Sequence, residues 1–357
     1  MTYAIRCVSL VTMKCPTYKE IAAACDVNVS TVSRALNNQS CIPPRTTARI
    51  RSIAERMGWR PNPFASAYMA HLRSTHPPSF QATLGIILDR PLPLSYKVDN
   101  TNLGSMIAGF KRRALEYGYE TDLFSLLDPG LAGPRLDKAL SSRNIAGIVI
   151  GNLPEAGKAP FVINWSRYAC VALGYTLTDP ILHRVATDTG QGFHLVIAKA
   201  IELGYRHIGI SVSRQYDART NHALLRAARY WQGEHDRRHL KIDTLLYDEE
   251  EPKRNRETVA SWLSRCRPDF AVGNWVYEAI ADLGWRIPED IAFASLDHSS
   301  VFPRHAGLDQ DYATSGALAA DIVIAEVSHN RRGIPPVPVE HLFQGHWVDG
   351  PTAPPKR

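Results

Sequence analysis

A chain of 357 residues exceeds one ordinary domain and suits a small module joined to a large one or to two lobes. Its 45% apolar content supports packed cores and excludes global disorder. The net charge of +6 is unevenly spread. Residues 1–76 hold ten Lys/Arg against three acids, and the other 281 residues hold 31 against 32. A basic first fifth on a near-neutral body is the electrostatic footprint of a nucleic-acid-binding module; a solubilising basic tail is the alternative. The six cysteines (Cys7, Cys15, Cys25, Cys41, Cys170, Cys266) form no C-x-x-C pair. That argues against a disulfide framework or a zinc site, and neither metal nor cofactor is expected. No stretch approaches the ~20 apolar residues of a membrane span. Residues 3–13 lack the core and cleavage site of a signal peptide, and Met13 is a second candidate start. The expectation is a cytoplasmic protein.

In chain order, Tyr18, Ile21, Ala22 and Cys25 make one apolar stripe on a short helix. Thr17 is its N-cap, and Glu20, three residues on, completes a capping box. Asp26, Val27 and Asn28 break the helix. A second helix is predicted over 29–36, with Val32, Ala35 and Leu36 inward and Ser30, Thr31, Ser33, Arg34 and Asn37 outward. A third carries Ile50, Ile53, Ala54 and Met57 on its apolar face, four arginines elsewhere, and Gly58 as its stop. Two short helices joined by a three-residue turn and braced by a third make a helix-turn-helix. The slim outward residues of the second helix suit the major groove, where Arg34 can fork onto a guanine. An ordinary three-helix subdomain with a solvated face fits the composition equally well.

The string TYKEIAAACDVNVSTVSRALN over 17–37 resembles the headpiece pattern T-L-x-D-[IV]-A-x-x-A-G-V-S-x-x-T-V-S-R-x-L-N of the LacI/GalR regulators. The likeness continues through MGWRPN at 57–62. By position it implies that Val29, Ser30 and Arg34 read bases and that Thr31, Ser33 and Asn37 orient the headpiece on phosphates. Thr17 and Asn62, at the two ends of the match, count among the DNA-contacting positions. Residues 61–73 are similar to the family's hinge helix, with Tyr68, or the adjacent Met69, in place of the leucine wedged into the minor groove. Asp26 stands where the family has a turn glycine, a position aspartate tolerates. Pro43 replaces the usual serine cap of the third helix.

Beyond a Pro-containing linker at 74–79, apolar strands and amphipathic helices alternate. Strands are expected at 83–89, 120–126, 147–150, 170–173, 185–188, 207–212, 244–247, 270–272 and 291–296. Helices are expected at 103–117, 131–143, 191–203, 218–231, 257–265, 276–283 and 314–328. This alternation implies parallel sheets covered by helices, an α/β body. None of the dinucleotide, P-loop, nucleophile-elbow or metalloprotease signatures occurs, which lowers the odds of an enzyme.

In the body, ATD at 186–188, LGYRHIGI at 203–210, DAR at 217–219 and IPEDIAFASLD at 287–297 are similar to segments of the same family. The resemblance implies a two-lobed periplasmic-binding-protein-like effector domain behind a small all-α helix-turn-helix domain. It places Arg219, Asn274 and Asp297 where the family holds effector hydroxyls. Asp89 and Trp165 are further candidates, read equally well as a cap and a core aromatic. The domains expected are an extension (1–15), a headpiece (16–62), hinge and linker (63–79), an effector-binding and dimerisation domain (80–350) and a Pro-rich tail (351–357). The function implied is a homodimeric, sequence-specific repressor of operator DNA, modulated by a sugar-like small molecule. A ligand-blind repressor and an α/β enzyme with a basic arm are the competing readings.

Overall fold

The computed structural model describes residues 16–36, 42–59, 80–89, 102–234, 239–298 and 304–356. The chain divides into an N-terminal unit and a body, with the main boundary between Pro78 and Ser79.

The N-terminal unit holds helices α1 (Tyr18–Cys25), α2 (Val29–Leu36) and α3 (Pro44–Arg56). The capping box is formed: Thr17 Oγ1 accepts from the Glu20 amide at 3.3 Å, and Glu20 Oε2 accepts from the Thr17 amide at 2.6 Å. Asp26 ends α1 in the left-handed conformation (φ 51°). Such a stop lets the chain reverse within three residues. Ile21, Ala22, Cys25, Val32, Ala35, Ile50 and Ala54 form the core. Arg49 of α3 donates to the Cys25 carbonyl at 3.1 Å, tying α3 to the electronegative end of α1. Pro43 offers no side-chain cap to α3; Pro44 at the helix start, whose missing N–H costs nothing there, serves instead.

Among the described residues the body contains two six-stranded sheets and one small two-stranded one. In the first lobe β1 (Ala82–Leu88), β2 (Tyr119–Ser125), β3 (Ile145–Ile150), β5 (Ala169–Leu173), β7 (His183–Thr187) and β13 (Glu340–Phe343) pair in the order β13-β7-β5-β3-β1-β2, all parallel. Two-residue β4 (Gly157–Lys158) pairs β6 (Leu177–Asp179) beside it. In the second lobe β8 (His207–Ser213), β9 (Lys241–Tyr247), β10 (Phe270–Gly273), β11 (Ala292–Ser295), β12 (Ala306–Asp309) and β14 (His346–Val348) run β14-β12-β11-β10-β8-β9. Only the β12–β14 pair is antiparallel. Helices α4 (Asn102–Glu116), α5 (Arg135–Ser142), α6 (Thr189–Glu202), α7 (Arg214–Arg219), α8 (Ala223–Gly233), α9 (Pro252–Cys266), α10 (Val276–Asp282) and α11 (Tyr312–Ser328) cover the sheets. Sheets buried on both faces explain the near-continuous apolar run of β1.

Among the described residues the chain passes between lobes three times: from β7 to α6, from β12 to α11 and from β13 to β14. Helix α11 returns to pack on the first-lobe core through Ala319, Ala320 and Val323. There it meets α4 backbone to backbone, because a Cβ on Gly316 would run into the Met106 carbonyl and one on Gly109 into that of Ala313.

Several expectations are revised. The helix predicted over 218–231 is two, α7 and α8, separated by Asn221 and His222 in the left-handed region. The cause is Asp217, buried at 1% exposure, whose Oδ1 accepts from the Leu225 amide at 3.1 Å and whose Oδ2 lies 2.9 Å from His222 Nδ1. The helix predicted over 131–143 begins only at Arg135, after a 3-10 turn at Pro129–Leu131 and a glycine at φ 60°. Strands β12, β13 and β14 were not foreseen. The Pro-rich tail is no appendage: the Thr352 carbonyl accepts from the Phe293 amide (2.8 Å), Tyr205 donates to the Pro354 carbonyl (2.6 Å), and Ala353 is buried in the second-lobe core.

Candidate functional site

On the N-terminal unit, the burial of Val32 and Ala35 turns the opposite face of α2 outward. Ser30 and Arg34 are exposed, Val29 is 44% exposed, and Thr31 and Ser33 are half-buried. Arg34 has no hydrogen bond or ion pair among the described residues, so its fork is available to an incoming acceptor. Thr17 is exposed, but its hydroxyl is committed to the capping box. Arg45 and Arg56 of α3 add exposed positive charge. Asn37, Asn62, Tyr68 and Met69, the remaining residues of the expected DNA surface, lie outside the described residues, as does the whole hinge.

In the body, a cavity of about 290 Å³ lies between the lobes at the carboxyl ends of their strands, where α/β folds hold ligands. The first lobe supplies Asp89, which follows β1, and Asn102, which opens α4. The second supplies Tyr216 and Arg219 from α7 and Asp297 after β11, while Gln310 and Tyr312 stand at the β12-to-α11 passage. Asp89, Arg219 and Asp297 are thus brought to one cavity.

Trp165 and Asn274 do not line it. Trp165 sits in a 3-10 turn with its ring 5.8 Å from that of Phe161, at the edge of a first-lobe core cluster. Asn274 serves the β10–α10 turn, its Oδ1 accepting from the Ser213 amide at 3.2 Å and its carbonyl from Ser211 Oγ at 2.9 Å.

Asp297 dominates the electrostatics of the cavity. Its Oδ2 accepts from Asn102 Nδ2 at 2.6 Å, a bond between the two lobes across 195 residues of sequence. Its Oδ1 is buried and has no partner at hydrogen-bond distance among the described residues. Burial pushes its pKa up to about 6, against the opposing hydrogen bonds from Tyr312 and Asn102. Tyr312, itself desolvated and facing that carboxylate, is raised well above its ordinary range. Burial likewise pushes Tyr216 up to about 12, so both phenols stay protonated as donors. Gln310 Nε2 is spent on the Leu296 carbonyl at 2.8 Å. Arg219 is half-buried and has no hydrogen bond or ion pair among the described residues. An unpaired guanidinium and an unsatisfied carboxylate oxygen in one cavity can together receive a ligand rich in hydroxyls. Among the described residues no cluster of His, Cys, Asp or Glu could hold a metal, and no helix is long and apolar enough to cross a membrane.

Asn102, Tyr216, Gln310 and Tyr312 were not singled out from sequence. Asn102 reads as the first residue of a helix, and the polar run DQDY at 309–312 precedes a helix after a strand that was not recognised.

The family model described as bacterial regulatory proteins, lacI family, matches residues 17–62, and that described as a periplasmic binding protein-like domain matches residues 197–346. The chain is 22% identical to catabolite control protein A of Staphylococcus epidermidis over 343 residues, covering 92% of this chain and 97% of that protein. It is 28% identical to the HTH-type transcriptional regulator TreR of Salmonella typhimurium over 196 residues, about half of each chain (54% and 55%). Among solved structures, the transcriptional regulator CelR–cellobiose complex aligns with a TM-score of 0.56 at 15% identity, covering 94% of this chain and 99% of that one. The lac repressor dimer bound to operator and the anti-inducer ONPF aligns at 0.53 and 14% identity, covering 96% and 100%.

Proposed function

The chain belongs to the LacI family of bacterial regulatory proteins, and from that premise we propose that it is a homodimeric repressor whose grip on operator DNA is set by a sugar-like ligand held between its lobes. It is a DNA-binding transcriptional regulator with a helix-turn-helix domain ahead of an α/β body. The observation that carries the ligand reading is Asp297 Oδ1, an acceptor withdrawn from water without a partner among the described residues. Such an atom costs about 1–3 kcal/mol until a donor reaches it, and a ligand hydroxyl is such a donor. Arg219 and Asp89 supply a fork and a second carboxylate for further hydroxyls. The fold likeness to a regulator solved with cellobiose supports the same class of ligand. No covalent chemistry is required by this reading, and the protein acts as a binder rather than an enzyme.

The test is a DNA titration of the full chain on a site selected from random sequence, with and without a panel of sugars. Arg34→Ala is expected to lose about 1–3 kcal/mol on the selected site and to relax one base preference per half-site. Equal loss on scrambled DNA would make Arg34 a phosphate contact. Asp297→Ala is expected to bind the site normally without sugar and to ignore the sugar that shifts the parent protein. A full response in that variant places the ligand elsewhere.

A further inference from the structure

A second cleft, of about 680 Å³, adjoins the interlobe cavity and shares four of its lining residues, Tyr175, Thr187, Thr189 and Thr220. Its floor is aromatic. Tyr230 of α8 lines the cleft and is 55% exposed. It is held by edge contacts, with ring centroids 5.2 Å from His194 and 5.5 Å from Trp231. Trp231 is itself 6% exposed, so the platform is anchored in the second-lobe core. Burial holds His194 below its ordinary range, and at neutral pH it packs as an uncharged ring.

Around this platform stand Gln191, Asn221 and Arg226, all exposed, and their side chains have no hydrogen bond among the described residues. Two carboxylates share the cleft. Asp188 caps α6 through the Gln191 amide, and Glu340 accepts from Tyr175 at 3.1 Å. Glu340 is itself paired with Arg184 at 3.6 Å, so Asp188 is the carboxylate left to offset Arg226, and the two acids make the cleft a poor host for a phosphate. An aromatic face edged by uncommitted amides, a guanidinium and a carboxylate matches a neutral pyranose ring, whose C–H face packs on the aromatic while its hydroxyls pair at the rim. The inner cavity, at about 290 Å³, is at the small end of the ~300–1,000 Å³ range of ligand sites and has room for little more than one ring.

We infer that this cleft is an outer subsite, in which Tyr230 carries the second ring of a disaccharide or glycoside whose first ring contacts Asp297 and Arg219. The inference rests on the sugar reading of the inner cavity and extends it to the size of the ligand.

The test is calorimetric titration of the full chain with common pentoses and hexoses, their methyl glycosides, and disaccharides built from them. The best disaccharide is expected to bind at least tenfold more tightly than either of its component sugars. Tyr230→Ala should remove most of that advantage and leave monosaccharide affinity unchanged, whereas Tyr230→Phe should retain it. Asp297→Ala should abolish binding of both. A monosaccharide as the tightest ligand, or a disaccharide advantage untouched by Tyr230→Ala, overturns the outer subsite while leaving the inner one standing. Absence of any carbohydrate binding, or binding indifferent to Asp297→Ala, overturns the inner reading and the outer one with it.

Discussion

Asp297 keeps a carboxylate in surroundings that disfavour its charge, and that conflict has a measurable consequence. An ordinary aspartate titrates near 3.8 and this one near 6, so the folded protein holds the proton more tightly than the unfolded chain does. Stability contributed at this site therefore falls as pH rises between about 4 and 6, and the cost is fully present above 6. At one pH unit per 1.36 kcal/mol, the shift corresponds to about 3 kcal/mol. Asp297→Asn is expected to be more stable than the parent by roughly that amount at pH 7.5, with the gap shrinking by about half at pH 5. Urea unfolding of both proteins at the two pH values measures it; a gap independent of pH would mean that the carboxylate is not desolvated. The residues legible in the sequence, Asp89, Arg219 and Asp297, all stand just beyond apolar strands or within quoted family segments. Asn102 and Tyr312 act on Asp297 from the first turns of helices, where a polar residue has a sufficient local explanation as a helix start and, for Asn102, carries no mark of a partner 195 residues away.

At the scale of elements, the crossing of α4 and α11 decides where those two helix starts lie. Glycine inside a helix ordinarily costs about 0.5–1 kcal/mol relative to alanine, so Gly316→Ala would be stabilising if propensity ruled. Here the added methyl meets the Met106 carbonyl, and backbone cannot yield as a side-chain tip would. Overpacking of this kind costs about 1–3 kcal/mol, and we expect a net loss in chemical denaturation. Gly233→Ala in α8, where a Cβ meets nothing within 4 Å, provides the control and should be neutral or slightly stabilising. A stabilised Gly316→Ala would show that the helices separate freely. Long amphipathic elements such as α4 and α11 were legible because their apolar period repeats over several turns. Strands β12, β13 and β14 were not, since three or four residues, two of these strands lying at sheet edges, offer no period to read. The split of α7 from α8 was equally invisible, because it is imposed by one buried carboxylate, Asp217, rather than by a proline or glycine.

For the whole molecule, a ligand held by both Asn102's lobe and Asp297's lobe favours whichever lobe arrangement satisfies both, and only such differential affinity can alter DNA binding. Linkage then requires reciprocity. If the sugar changes operator affinity by some factor, typically about 5–150-fold, operator DNA must change sugar affinity by the same factor. Sugar titrations of the free protein and of its operator complex should agree with the converse DNA titrations; unequal factors would mean that a further equilibrium, such as dimer dissociation, is being read. The α/β body and the helix-turn-helix were legible from strand–helix alternation and headpiece spacing, and the two-lobed plan from the family resemblance, whereas the passages between lobes were not, since they depend on the strands the sequence hides. Those passages bear on how the protein is made. Strands β13 and β14 each stand at an edge of their sheet and are synthesised after every other strand described in it. Each sheet stays one strand short until β13 and β14 emerge, long after α1 to α3 have been made. During its own synthesis the chain carries a finished reading head attached to an unfinished sensor, so a nascent or prematurely terminated copy would carry the helix-turn-helix without the lobes that regulate it.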